Sequence, residues 1–117
     1  MKREDVLSQL DGIGIRREAD YAVPINGAQI QLPYQVVRTR ETIDGSDNGR
    51  AQLLKIEWTV ALFTANKNPA LERAISRALC GVGKVKITYF PDGTPYQTNF
   101  EFTTREITKQ ENEQYGK

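Results

Sequence analysis

The chain has 117 residues, 38% of them hydrophobic and 26% charged, enough for one domain around one core. Its 16 Lys and Arg against 15 Asp and Glu leave a net charge of +1, and the two signs are interleaved along the sequence, which argues against nucleic acid as the main partner. The absence of histidine and the single cysteine, Cys80, remove Ser-His-Asp and Cys-His nucleophile systems and metal sites built on imidazole or thiolate, so no catalysis and no cofactor are expected.

The opening "MKREDVLSQL" is charged and lacks the apolar core of a signal peptide. No apolar run approaches the roughly 20 residues that span a bilayer, so a soluble protein made in the cytoplasm is expected, with no membrane partner. Residues 3–11 place Val6, Leu7 and Leu10 on one side at helical spacing, and Gly12 and Gly14 end that helix. The stretch "IRREADYAVPINGAQIQLPY", 15–34, is broken by Pro24, Asn26, Gly27 and Pro33 and reads as a loop with one short extended piece around 19–23. "YQVVRTRET", 34–42, is a strand by composition, and "IDGSDNGR" after it holds the residues that a hairpin tip requires.

The clearest strand follows. Leu54, Ile56, Trp58, Val60 and Leu62 fall on one face; Lys55, Glu57, Thr59 and Ala61 fall on the other. Asn68 then caps a helix opened by Pro69. Leu71, Ile75, Ala78 and Leu79 form its apolar stripe, with Glu72, Arg73, Ser76 and Arg77 opposite and Gly81 expected as the terminating glycine. A second hairpin turns at "PDGTP", with Val85, Ile87 and Tyr89 inward on its first strand and Tyr96, Phe100 and Phe102 inward on its second. The domain is expected over 1–107, with a polar, loose tail at 108–117.

The order helix, hairpin, helix, hairpin predicts an α+β two-layer sandwich, an antiparallel sheet built from two hairpins with the helices packed on one face. Its uncovered face should present a mixed-charge surface, including Lys55, Glu57, Lys86, Glu101 and Arg105. Cys80 beside Leu79 reads as a small buried hydrophobe. Asp44, Asp47 and Asn48 lack the spacing of a calcium loop, and "GVGK" at 81–84 runs from helix to strand, the reverse of a phosphate-binding loop. What remains is a non-catalytic module that works by contact.

Several motifs in order resemble one family. "LPYQVV" at 32–37, "GSDNGR" at 45–50, "WTVALFTANKNPALERAISRAL" at 58–79 and "YQTNFEF" at 96–102 are similar to the tail-terminator proteins of long-tailed bacteriophages and prophages, also described as tail-completion, head–tail joining or minor capsid proteins. Phe63 departs from the tyrosine usual there. The resemblance implies a structural virion protein: a closed ring, usually a hexamer, that caps the tail tube and forms the tail side of the head–tail junction. Its implied partners are other copies of itself, the tail-tube protein and a head-completion or connector protein, and DNA would pass through the lumen without being specifically bound. The candidate assembly contacts are Asp44, Asp47, Asn48 and Arg50 at the first hairpin tip and Arg73 and Arg77 on the outer face of the second helix. The alternatives are a neighbouring head-completion (stopper) ring protein and a ferredoxin-like RNA-binding module. The latter is disfavoured, because Tyr89, Tyr96, Phe100 and Phe102 fit the covered face and leave no stacking platform.

Overall fold

A computed structural model of the chain describes residues 2–19, 31–47, 51–93 and 95–109. The elements in chain order are α1 (Arg3–Asp11), β1 (Arg16–Ala19), β2 (Tyr34–Asp47), β3 (Ala51–Thr64), α2 (Pro69–Ala78), β4 (Lys86–Phe90) and β5 (Tyr96–Lys109). They form a two-layer α+β sandwich with one five-stranded sheet in the order β1-β2-β3-β5-β4. The two expected hairpins, β2–β3 and β4–β5, are antiparallel, but β1 joins β2 in parallel and makes the sheet mixed. β1 covers 16–19, and the extended piece expected around 19–23 lies, apart from Ala19, outside the described residues. β5 runs through Lys109, past the expected end of the domain, and the rest of the expected tail, 110–117, is outside the described residues.

The core forms where both helices meet the sheet. Val6 and Leu10 of α1, Ile75 of α2 and Leu79 at its end pack with Ile56, Trp58, Val60 and Leu62 of β3 and with Phe100 and Phe102 of β5. The alternation of β3 and the helical spacing of α1 and α2 are therefore realised as read. Asn68 accepts the Leu71 N–H at 3.1 Å and Pro69 opens α2, the capping arrangement expected there. The glycine with left-handed backbone after α2 is Gly83 (φ 92°), not Gly81, because the helix ends in a further turn over Leu79–Gly81 before the chain reverses. Gly14 (φ 91°) makes the corresponding reversal between α1 and β1.

Three polar side chains fix how the layers meet. Gln35, fully buried in β2, donates from Nε2 to the Leu10 carbonyl at 3.1 Å and so ties the end of α1 to the sheet. Trp58 Nε1 donates to Thr104 Oγ1 at 2.8 Å, while its ring stacks on Phe102 at 5.5 Å. The Asp11 carboxylate accepts two hydrogen bonds from Arg17, at 2.5 and 3.1 Å, pinning β1 to α1.

That last pair carries a pH prediction. The hydrogen bond from Arg17 holds the Asp11 carboxyl below its ordinary value of 3.8. A carboxyl lowered in the folded state contributes its stability above pH 3.8 and loses it as pH falls through the lowered value. Half the Asp11 side chain is exposed, so solvent screening keeps the contribution to about 0.2–1 kcal/mol. Asp11→Asn should lower the urea midpoint slightly at neutral pH, and the two proteins should converge in acid. A constant offset down to the lowest pH would assign the loss to something other than this charge.

Candidate assembly surfaces

The helices cover only part of one sheet face. β2, β3 and β5 each have 14 residues, roughly 46 Å of extended chain, whereas β1 reaches only to Val37 and β4 only to Glu101 in register. The far ends of the three long strands therefore continue as a three-stranded arm, and the molecule measures 56 × 34 × 23 Å. Within the arm the hairpin ladder continues through Gly45↔Leu53, Ser46↔Gln52 and Asp47↔Ala51 after a bulge between Ile43 and Gly45. Asp44 and Asp47, expected in the tip, thus belong to the strand; the bulge absorbs the extra residue and lets pairing run on. Asn48 and Arg50 lie outside the described residues.

The arm leaves apolar side chains in solvent on both of its faces. Ile107 is 72% exposed and stands beside Leu53; Ile43 is 57% exposed and stands beside Leu54 on the other face. Arg3 of α1 buttresses the arm's base. Its guanidinium pairs with Glu41 and its backbone N–H donates to Glu106 at 2.5 Å.

Arg73 and Arg77, one helical turn apart, are exposed on α2 as expected and line a shallow hollow with Ser76 and Cys80. Cys80 is a free, exposed thiol rather than a buried one, since the helix stripe turns Leu79 inward and leaves its neighbour outside. Glu72 corrects the helix reading in the opposite direction: it is buried. Lys67 reaches over the start of α2 to its carboxylate at 3.0 and 3.2 Å, which offsets the desolvation. The same ammonium lies 4.2 Å from the Tyr89 ring centre and 5.7 Å from Tyr96, so one cation joins α2 to the β4–β5 hairpin. The hydrogen bond to Glu72 raises Lys67 above the ordinary lysine value, which keeps it protonated and unsuited to act as a base or nucleophile at neutral pH.

Register also settles which side chains share the uncovered face. In β2 the inward residues are Gln35 and Val37, so Arg38 and Arg40 point outward with Lys55 and Glu57 of β3, Glu101 and Arg105 of β5 and Lys86 of β4. Several of the described acids lie elsewhere: Asp11, Glu41, Glu72 and Glu106 are engaged on the helix side. The uncovered face thus carries mixed charge as expected, and Arg38 and Arg40 give it a basic excess. Tyr34, Phe63 and Phe90 stand on this face too, in one row across the sheet. The expected lack of aromatics there does not hold: Tyr89, Tyr96, Phe100 and Phe102 do face the helix side, but these three rings stand opposite. Of the inward residues expected on the second hairpin, Ile87 and Tyr89 are on the helix side but 39% and 46% exposed, since the helices do not extend over β4.

No group of His, Cys, Asp and Glu able to hold a metal occurs among the described residues, and no helix among them is long and apolar enough to cross a membrane. Comparison of the chain with models of known protein families and with curated proteins gives no match to either.

Proposed function

We propose that the chain is a structural virion protein, a tail terminator that closes into a ring on the finished tail tube and forms the tail side of the head–tail junction. It would be made in the bacterial cytoplasm and end in the virion, with the tail-tube protein below it and a connector protein above. The ordered motifs over 30–104 support the family, and the observation that carries the assembly reading is the arm. A three-stranded projection with exposed isoleucines on both faces is poorly suited to a monomer and well suited to lie between neighbours. Such a head-to-tail contact closes by rotation and needs unlike patches on the two sides of each copy, which the arm and the helix layer supply.

A head-completion ring protein uses the same kind of contact and is the second reading. The ferredoxin-like alternative loses ground, because the order α1-β1-β2-β3-α2-β4-β5 is not the β-α-β-β-α-β order of that fold. The test is a phage lacking this gene and complemented in trans. Heads that fill while tails overgrow or stay unattached are the expected phenotype; tails of normal length joined to filled heads in the uncomplemented phage would sink the terminator reading. Reversing charge at Arg73 or Arg77 should impair joining while moving monomer stability by less than about 0.5 kcal/mol, as both are exposed. Equal loss of stability and joining would make them folding residues.

A further inference from the structure

We infer that the uncovered face of the sheet binds single-stranded nucleic acid without sequence preference, through its phosphates along the strands and one stacked base at the aromatic row. The inference does not depend on the ring: it follows from where the fold places charge and rings.

The cationic part comes first. Arg40 and Lys55 stand on this face with Arg38 and Arg105, each of the last two also engaged with a neighbour. Where β4 stops short of the end of β5, a cleft of 540 Å³ gathers Lys84, Lys86 and Arg105, with Thr59 and Thr103 beside them and Glu57 and Glu101 on its wall. Arg40 already bonds Glu57 at 3.2 Å, which removes one of those carboxylates from competition with a phosphate. Three cations converging on a concave site next to hydroxyl donors is chemistry for a phosphodiester, and it recurs along the face rather than at one point.

The aromatic row supplies the second element. Tyr34 stacks on Phe63 with centroids 4.9 Å apart, and Gln97 separates Phe63 from Phe90 in register. Phe63 and Phe90 are two strand spacings apart, about 10 Å, close to twice the ~5 Å separation of stacked rings. A planar base fits between them over Gln97, whose Nε2 is held by Asn99 Oδ1 at 2.8 Å. Phe90 is 42% exposed, so the slot is open to solvent. A duplex keeps its bases stacked inside and cannot fill it, which is why the occupant is a single strand.

The experiment is fluorescence anisotropy of the full-length protein with a short labelled DNA strand of mixed sequence, alone or annealed to its complement, over a range of salt. The single strand should bind more tightly than the duplex, and its affinity should fall with salt, log K losing about 0.7 per phosphate contact for each tenfold rise in salt. The double variant Lys84→Glu, Lys86→Glu should weaken binding at least tenfold and flatten the salt dependence. Phe90→Ala should weaken the single strand at least fivefold, within the range of one lost base stack, and leave the salt slope unchanged; Phe90→Trp should restore it. Arg73→Glu on α2, on the opposite side of the sheet, should leave the affinity for the strand and its salt dependence unchanged, whatever it does to joining. Absence of salt-dependent binding, equal binding of duplex, insensitivity to either sheet-face variant, or an equal effect of Arg73→Glu would each overturn the inference. Circular dichroism on each variant separates lost binding from lost folding.

Discussion

Replacing Trp58 with alanine should cost about 3–5 kcal/mol, the largest loss expected from one side chain in this protein. Trp58 is 1% exposed at the centre of β3, between the helix layer and the strands on either side. Its removal takes away the stacking on Phe102, opens a cavity too large for the flanking Ile56 and Val60 to close, and strips the Thr104 hydroxyl of its donor. Trp58→Phe divides these effects, keeping much of the packing while the buried hydroxyl stays unpartnered, and should cost roughly 1–3 kcal/mol. Chemical denaturation followed by circular dichroism measures both. A loss below 1 kcal/mol for the alanine variant would mean that the core is not organised around this ring.

Ile43→Glu and Ile107→Glu should do the reverse, abolishing assembly while sparing the fold. Both side chains are more than half exposed, so the free chain should change in stability by no more than about 0.5 kcal/mol. If the arm lies between copies, each substitution places a carboxylate in an apolar contact repeated at every interface of the ring. Loss of an interface anchor commonly costs about 2–4 kcal/mol, and here the cost recurs around the circle. Complementation of the deleted phage by either variant should fail, with tails left unattached. Normal complementation by both would show that the arm is a solvent-facing extension and would remove the main support for the ring.

Much of this architecture was legible because the signals were local. β3 alternates cleanly through Trp58, and the Asn68–Pro69 pair marks the start of α2 without ambiguity. The facing of β2 was not legible, since the adjacent Val36 and Val37 satisfy either phase of a two-residue repeat. Gln35 decides it, and a buried glutamine that anchors a distant carbonyl leaves no pattern in the sequence. With the phase undecided, Arg38 and Arg40 could not be assigned to a face, and the basic surface was missed. β1 lacks apolar alternation altogether and is held by pairing to β2 and by the Arg17–Asp11 bond. Glu72 and Cys80 were misplaced for a related reason: burial at a helix boundary depends on what lies opposite, here Lys67 in one case and solvent in the other.

The position of β5 has a consequence for how the chain folds. β3 and β4 both run antiparallel to β5 and hence parallel to each other, joined over it by α2, yet β5 follows β4 in sequence. The gap between β3 and β4 is thus closed by the strand synthesised after both of its neighbours. Until β5 arrives, β3 has a bare edge and Trp58 lacks both its stacking partner and its acceptor. The β2–β3 hairpin and the two helices need only local contacts, whereas pairing of Ala51 with Lys109 must close a loop across half the chain. Insertion of β5 should therefore be the slow, rate-setting step of folding, with side chains in its central segment influencing the folding rate more than those in the early hairpin. Any stall before that step leaves an apolar strand edge available to the wrong partner, the same backbone pairing that completes the domain then serving aggregation.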